Sequence, residues 1–218
     1  MIVYKYIEKQ YLDDFKKKGT VCLHPLYYYK VTDNISIQDK EEGFSKLSID
    51  PDKAPIELTS ERASRAFSPS LFKNSFVVMP KAHVVRENDL PSNNALIFCT
   101  SVSLEQEIMD RFHCNAYYKI VEPYKFARTV FKELKKQDLS IHDYTMQKVK
   151  YVDKETCLTT PKQSDRIDEL PNSLFEEYFR KSKLHNWQKE LRMVFLSNHI
   201  IPNEAFIHSK ELLRYCRF

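Results

Sequence analysis

The clearest alternation of apolar and polar side chains in this chain lies near its C-terminal end. With the two-residue repeat of a β-strand, the run from residue 187 to 195 has one apolar face and one face that begins with two charges. The apolar face carries Leu191, Met193 and Phe195, and the other carries Glu190, Arg192 and Val194. Buried charges cost free energy unless they are paired or used. The pattern therefore leaves two interpretations open, an ion pair at a strand edge and a carboxylate that binds or reacts.

The same periodicities predict strands and helices along the rest of the chain. Residues 2–7 and 20–24 are predicted as strands, with an amphipathic helix over 8–18 between them that ends at Gly19. Further strands are predicted at 75–79, 95–101, 116–121, 146–152, 190–196 and 205–208, and further helices after residue 104, from Pro123 and at 174–179. Because these elements mix without a regular βαβ repeat, we expect an α+β fold with a mostly antiparallel or mixed sheet, in one domain over residues 1–218.

Several segments are predicted to be irregular or solvated. Residues 26–29, which include three consecutive tyrosines, follow a proline and indicate an aromatic turn. Residues 44–72 are rich in serine, proline and charge, which indicates a surface excursion with one short helix near 57–66. The acidic residues at 39–42 are most simply a solvated loop. The basic run at 180–183 is most simply a solvated helix face, with room for contact to a phosphate backbone.

Composition narrows the cellular setting. At 218 residues and 42% hydrophobic, the chain is long enough to bury a core. No stretch approaches ~20 consecutive apolar residues, and the N-terminal residues lack the order of a signal peptide, so we expect neither a membrane span nor secretion. The five cysteines are widely spaced without a Cys-x-x-Cys pair, which favours free thiols over disulfides or a zinc site. We therefore expect a cytoplasmic protein without a metal site.

The shortage of glycine excludes the common nucleotide-binding loops. The chain has two glycines, Gly19 and Gly43. A dinucleotide-binding fingerprint needs three glycines at fixed spacing, and a phosphate-binding P-loop needs two that precede Lys-Ser or Lys-Thr. A nucleotide could be bound here only by a different kind of site.

The order of several short motifs resembles that of a bacterial family related to the ADP-ribosyltransferases. Members of that family open with Lys-Tyr in a first strand and close with a Lys…Trp…Glu-x-Arg element, with proline, acidic, Cys/Ser and Tyr motifs between. The corresponding segments are Tyr4-Lys5-Tyr6, His24-Pro25, Asp39 with Glu41-Glu42, Phe98-Cys99-Thr100-Ser101, Val149-Lys150-Tyr151 and Lys183…Trp187…Glu190-Leu191-Arg192. The likeness extends over almost the whole chain, although His24 stands where the family has serine.

The resemblance implies an ADP-ribosyltransferase-like fold, a split mixed or antiparallel sheet with flanking helices. Its cleft would bind NAD, as a substrate, without a glycine-rich loop. By this resemblance Glu190 is the catalytic glutamate and Tyr28 stacks on the nicotinamide. The other NAD-binding residues that it implies are Lys5, Tyr6, His24 and Arg192. The first-strand histidine of the His-Tyr-Glu class of these enzymes is absent, and Lys5 or Tyr6 occupies that region.

These residue types suit cleavage of the N-glycosidic bond of NAD. Loss of nicotinamide builds positive oxocarbenium character at the ribose, as in glycoside hydrolysis, and a nearby carboxylate stabilises it. An aromatic side chain holds the flat nicotinamide by stacking. Arg192 could keep Glu190 ionised and positioned, or could contact a phosphate. As ordinary structural residues, the tyrosines would form a packed turn and His24 would end a strand.

The resemblance therefore implies a mono-ADP-ribosyltransferase that modifies a macromolecule, as a toxin or phage-defence effector held inactive by an antitoxin or chaperone partner. The net charge of +4 and the many tyrosines and arginines favour a nucleic acid such as RNA over protein as the acceptor. Two other functions stay open. One is a non-catalytic binding module on the same fold, and the other is a metal-dependent nuclease in which Asp39, Glu41 and Glu190 hold Mg²⁺.

Overall fold

The computed structural model describes most of the chain: residues 1–34, 37–49, 56–66, 77–79, 84–89, 94–137, 139–158, 163, 166–168, 170 and 174–218. In this part the helices are α1 (Lys9–Lys18), α2 (Leu26–Val31), α3 (Ser60–Ala66), α4 (Gln106–Arg111) and α5 (Pro123–Lys135), with 3-10 helices at Leu174–Phe179, Lys183–Gln188 and Lys210–Tyr215. The strands are β1 (Val3–Ile7), β2 (Thr20–Pro25), β3 (Phe44–Ile49), β4 (Ile56–Leu58), β5 (Val77–Met79), β6 (Val84–Asp89), β7 (Ala95–Ser101), β8 (Ala116–Ile120), β9 (Ile141–Lys148), β10 (Lys150–Val152), β11 (Glu155–Leu158), β12 (Arg180–Ser182), β13 (Glu190–Ser197), β14 (Ala205–His208) and β15 (Cys216–Arg217). Within the described ranges, no helix is long and apolar enough to cross a membrane.

The main sheet is antiparallel and divides at β7. Strand β13 pairs with one edge of β7 along its length. The other edge is shared, because β2 pairs with it at Ile97 and β1 pairs with it further along, at Ser101. The sheet continues through β8 and β15 beyond β1, and through β14 beyond β2. The α+β class is therefore confirmed, and we call the gap between β1 and β2 against β7 the fork.

Strand β13 is a central strand whose two faces have different surroundings. One face packs into the main core, where α1 and α5 also contribute side chains, and the other packs with α2. The main core takes Leu191, Met193 and Phe195, whereas the cluster with α2 takes Val194. The predicted difference between the two faces is thus confirmed. Strands β7 and β9 flank β13, and the side chains of Glu190 and Arg192 are buried, so these residues lie in the interior and not at the edge of the sheet.

Helix α1 ends at the glycine that the sequence predicts as its stop. Gly19 has a φ of 66°, in the left-handed region, and its N–H donates to the carbonyl of Phe15 at 2.7 Å. A Cβ at this position would lie 2.0 Å from the carbonyl oxygen of Ser209. Only glycine fits this approach, which packs the turn between α1 and β2 against the residue that follows β14.

The predicted aromatic turn at residues 26–29 is wrong, because these residues belong to helix α2. Leu26 and Tyr29 are three residues apart, so they lie on the same side of the helix, and both are buried. The preceding Pro25 has extended backbone angles and starts the helix. A helix at this point fixes the orientation of Tyr28 beside the fork.

The predicted surface excursion at 44–72 is wrong for residues 44–49, which form a strand, whereas the short helix predicted within it is present. Residues 44–49 form β3, which runs parallel to β11 and antiparallel to β6. Its alternate residues Leu47 and Ile49 are buried in a small separate cluster, an alternation that the charged neighbours obscure in the sequence. The short helix is confirmed as α3. Residues 50–55 and 67–72 lie outside the described residues.

The predicted strand 146–152 is two strands, β9 and β10, that separate at Val149. The backbone N–H of Val149 donates to the carbonyl of Glu190 at 2.9 Å. After this interruption, the hydroxyl of Tyr151 accepts a hydrogen bond from the backbone N–H of Glu190 at 2.8 Å. The break in the strand therefore brings Tyr151 to the start of β13.

Candidate active site

A cavity of about 530 Å³ opens in the fork of the main sheet. Strands β1 and β2 form two of its sides, and β7 lies across its floor. The walls also include one residue each from β12, β13 and β14, and side chains from α1 and α2. The volume lies within the range of small-molecule and cofactor sites. The fork is thus large enough for a nucleotide-sized ligand.

The structure brings five of the six site residues predicted from the sequence together in this cavity. The five are Lys5, Tyr6, His24, Tyr28 and Glu190. Arg192 is not part of the wall, because its side chain is fully buried and bonded to other protein groups. Of the two roles suggested for Arg192, the geometry fits the positioning of Glu190 and gives no access to a ligand phosphate.

Glu190 is a carboxylate in the cavity wall that two cations hold. Its side chain is 4% exposed, and its Oε1 accepts a hydrogen bond from Arg192 Nε at 2.6 Å. Its Oε2 lies 3.4 Å from the ammonium of Lys181, which also lines the cavity. Bonds between charged groups are stronger than neutral ones, so this arrangement fixes the carboxylate in place.

Arg192 connects Glu190 to a second buried carboxylate, Glu42. The guanidinium makes a bidentate pair with Glu42, with distances of 2.7 and 2.8 Å, and donates to the carbonyl of Tyr178 at 2.8 Å. Neither side chain of this pair is exposed to solvent. The interpretation of residues 39–42 as a solvated loop is therefore wrong for Glu42, whose carboxylate pairs with a residue 150 positions away.

The charges around Glu190 belong to a neutral buried cluster. Eight charged side chains are buried in the described residues: Asp39, Glu42, Glu177, Glu190, Lys154, Arg180, Lys181 and Arg192. Four are carboxylates and four are cations, so their formal charges cancel. The interpretation of residues 180–183 as a solvated helix face is wrong, because Arg180 and Lys181 lie on β12 and are buried. Balanced charge makes the burial of so many ions tolerable.

The two carboxylates bonded to Arg192 stay ionised. Burial alone would raise the pKa of Glu190, but the charges of Arg192 and Lys181 hold that pKa far below its usual value of 4.5. The pKa of Glu42 is lowered in the same way, since Arg192 outweighs the effect of burial. Glu190 is therefore a permanent negative charge in the cavity wall and not a group that exchanges protons near neutral pH.

Acidification is expected to destabilise the folded protein below about pH 4.5. The lowered pKa values of Glu42 and Glu190 add stability that is present above their unfolded value of 4.5 and is lost as the pH falls through the lowered values. Urea unfolding at pH 7, 5 and 3.5 measures this loss. The Glu42→Gln variant should show a shallower decline below pH 5, and an equally steep decline would contradict the assignment.

An aromatic stack forms another part of the wall. The rings of His24 and Tyr28 lie parallel, with centroids 4.0 Å apart and planes 16° apart. Burial and the charge of Lys5 lower the pKa of His24 from 6.5, so this imidazole is neutral at pH 7. Tyr28 is partly exposed and lines the cavity, so the stack presents a flat, uncharged surface to a ligand.

Lys5 and Tyr6 lie on β1 at the side of the fork. Lys5 Nζ donates to the carbonyl of Cys99 at 3.0 Å and lies 4.7 Å from the ring centre of Phe98. The hydroxyl of Tyr6 is occupied, since it donates to the carbonyl of Ser103 at 2.8 Å and accepts from the N–H of Glu105 at 2.9 Å. Lys5 can therefore offer a charge to a ligand, whereas Tyr6 offers its ring.

Three cysteines line the cavity, but none is suited to act as a nucleophile. Burial raises the pKa of Cys22 to about 11 and that of Cys99 to about 12. Burial also raises the pKa of Cys114. All three thiols are protonated at neutral pH, and the thiolate is the reactive form. Glu190 thus remains the reactive group that the geometry favours.

The rim of the cavity combines aromatic rings with carboxylates. Tyr11 and Phe206 line the cavity and are 57% and 50% exposed. Among the described residues, the acidic ones that line it, apart from Glu190, are Glu8, Asp14 and Glu204. Exposed rings can stack on a base or pack on a side chain, whereas the carboxylates repel phosphate groups that come close.

The acidic residues do not form a metal-binding group. Among the residues that the structure describes, no three His, Cys, Asp or Glu side chains are arranged to hold a metal ion. The carboxylate of Glu190 is already bonded to Arg192 and Lys181, and these cations would repel Mg²⁺. The geometry gives the nuclease hypothesis no support.

Sequence reasoning missed two residues of this network, Lys181, which contacts Glu190, and Glu42, which is bonded to Arg192. Lys181 was hidden in a basic run, and Glu42 in an acidic loop. Nothing local in the sequence marks Lys181 as a strand residue among its basic neighbours, and nothing local distinguishes Glu42 from Glu41. Long-range pairs of this kind become visible only in the folded chain.

Fold and cavity together define an α+β protein with a forked antiparallel sheet, whose ligand-sized cavity carries a buried, ionised carboxylate. Comparison with models of protein families, with curated proteins and with solved structures finds no match for this chain. Its function therefore has to be inferred from the cavity itself.

Proposed function

We propose that this protein is an NAD-dependent mono-ADP-ribosyltransferase that modifies a macromolecule. The observation that carries the proposal is Glu190, an ionised carboxylate that two cations fix in the wall of a cavity of about 530 Å³. Cleavage of the bond between nicotinamide and ribose develops positive charge at the ribose. A negative charge that is already in place stabilises that transition state without reorganisation.

The low pKa of Glu190 favours this reaction over general acid–base catalysis. A general base works best when its pKa is near the operating pH, and Glu190 lies far below that range. The same carboxylate is a strong hydrogen-bond acceptor for a ribose hydroxyl. Electrostatic stabilisation and orientation of a ribose are the two tasks that such a group performs well.

The remaining walls fit the other parts of NAD. The stack of His24 and Tyr28 offers a flat surface for an aromatic base such as nicotinamide. Lys5 and Lys181 are the cations among the described lining residues, and Lys5 is the one that is not bonded to Glu190. Lys5 would face the pyrophosphate, which the chain has no glycine-rich loop to hold.

The rim residues favour a macromolecular acceptor whose modified group protrudes and can reach into the cavity. Tyr11 and Phe206 offer exposed rings, and the three rim carboxylates disfavour a close phosphate backbone. An unpaired base or a protein side chain meets both conditions. The biological setting in this proposal is that of a toxin or phage-defence effector, which an antitoxin or chaperone partner keeps inactive.

Replacement of Tyr28 by Ala is expected to weaken the binding of NAD by about 5- to 150-fold, because one stacked ring contributes about 1–3 kcal/mol. Calorimetric titration with NAD measures the change. Tyr27→Ala is the matched control, since Tyr27 is the neighbouring tyrosine, is 46% exposed and does not line the cavity. Its affinity for NAD should equal that of the wild type.

The same titration, followed by an assay for released nicotinamide, tests the proposed function as a whole. Wild-type protein should bind NAD and release nicotinamide without added metal. Absence of both from folded protein would contradict the proposal and leave the non-catalytic binding module as the better hypothesis. Cleavage of nucleic acid that requires Mg²⁺ would favour the nuclease instead.

A further inference from the structure

Lys181 is a buried cation in the cavity wall. The site expected from the resemblance gives this residue no role. Its side chain is 3% exposed, and its Nζ donates to Gln188 Oε1 at 2.9 Å and to Glu190 Oε2 at 3.4 Å. A lysine ammonium has three hydrogens. Among the described residues these two acceptors leave one hydrogen, and the cavity is the open space beside it.

Oxygen Oε2 of Glu190 lies beside this ammonium and can accept a hydrogen bond from a ligand. The other oxygen, Oε1, is engaged by Arg192 at 2.6 Å, whereas the distance from Oε2 to Lys181 is long for a hydrogen bond between ions. A single ligand oxygen can lie within hydrogen-bond distance of two atoms that are 3.4 Å apart. Lys181 Nζ supplies a donor at this point and Glu190 Oε2 supplies an acceptor.

We propose that Lys181 is a second substrate-contacting residue, which binds the 2′-hydroxyl of the nicotinamide ribose together with Glu190. The hydroxyl oxygen accepts a hydrogen bond from Lys181, and the hydroxyl hydrogen is donated to Glu190 Oε2. The 2′-hydroxyl is the one next to the carbon at which Glu190 stabilises charge. The inference rests on the proposed function and adds to it a specificity for a group that both donates and accepts.

Gln188 holds Lys181 in this position. Its side chain is buried, and its Oε1 accepts the shorter of the two hydrogen bonds from Lys181. The ammonium is therefore held from the side of Gln188 and cannot turn fully toward Glu190. This geometry keeps one hydrogen of the ammonium for a ligand.

Lys154 provides a matched control within the same buried cluster. Its side chain is 1% exposed, and its Nζ donates to the carbonyl of Arg180 and pairs with Glu177 at 3.6 Å. Lys154 does not line the cavity. A variant at Lys154 thus removes a buried cation without removing a donor from the cavity wall.

The test compares the affinity for NAD with that for an analogue in which fluorine replaces the 2′-hydroxyl of the nicotinamide ribose. Fluorine cannot donate a hydrogen bond to Glu190 and accepts poorly from Lys181. Wild-type protein should bind NAD about 10- to 100-fold more tightly than the analogue. Lys181→Met should lose affinity for NAD and lower this ratio about 5- to 10-fold, because only the hydrogen bond to Glu190 Oε2 still distinguishes the hydroxyl from fluorine. Lys181→Gln, which keeps a polar side chain if the Met variant folds poorly, should lower the ratio as well.

Lys154→Met should keep the wild-type ratio of the two affinities, even where it lowers the stability of the fold. A wild-type ratio retained by folded Lys181→Met or Lys181→Gln would overturn the role of Lys181 while leaving the proposed function in place. A wild type that binds neither ligand would overturn both. The ratio is informative because a merely structural lysine would not change it.

Discussion

Replacement of Arg192 by Met is expected to lower the free energy of unfolding by about 3–5 kcal/mol. The guanidinium makes two hydrogen bonds to Glu42, one to Glu190 and one to the carbonyl of Tyr178, all at 2.6–2.8 Å. Methionine fills much of the same volume but leaves two buried carboxylates without their main cation. Uncompensated buried charge is among the most destabilising changes that a single substitution can cause.

Urea unfolding measures this effect against Arg111→Met. Arg111 is 49% exposed and pairs with Glu107 within α4, so its loss should cost about 1 kcal/mol or less. Adding Glu42→Gln to Arg192→Met should recover part of the lost stability, because one of the two unpaired charges is then removed. If Arg192→Met loses no more stability than Arg111→Met, the buried ion pairs do not stabilise this site.

Replacement of Glu190 by Gln is expected to slow the release of nicotinamide about 10²- to 10³-fold, while the affinity for NAD changes less than about 10-fold. The amide has the size of the carboxylate and can still accept a hydrogen bond from a cation. It lacks the negative charge that stabilises the ribose in the transition state. Arg192 keeps its bidentate partner Glu42, so the variant should fold.

Steady-state kinetics with labelled NAD, together with calorimetric titration, separate the two effects of Glu190→Gln. Glu133→Gln is the control, because Glu133 pairs with Lys136 on the surface of α5, away from the fork. It should behave as the wild type in both measurements. Equal rates for Glu190→Gln and the wild type would mean that Glu190 is only a structural partner of Arg192.

The local features of the fold follow from the sequence, and β13 shows why. The alternation that puts Leu191, Met193 and Phe195 into one core is a property of neighbouring residues, and the structure confirms it. The stop of α1 at Gly19 is equally local, because a left-handed residue ends the helix. Helix α2 was missed, because three tyrosines after a proline carry no helical repeat that can be distinguished from a turn.

The arrangement of the site could be predicted only in part. Five of the residues expected from the resemblance meet in the cavity, since β1, β2 and β13 all converge on β7 and α2, which carries Tyr28, directly follows β2. Arg192 lies behind the cavity wall. Its side chain is fully buried on an interior strand and is bonded to Glu42, so it does not reach the cavity. That partner comes from a loop far away in the chain, and pairing over such a distance depends on the completed sheet.

The most direct test of the central claim is incubation of wild-type and Glu190→Gln protein with NAD labelled in its ADP-ribose part and a bacterial lysate. The products are then digested separately with protease and with RNase. The account predicts that wild type transfers label to a macromolecule and that the variant does not, and the digest that releases the label identifies the acceptor as RNA or protein. Transfer that is equal in both proteins, or no transfer by folded wild type freed of any inhibitor, would contradict it.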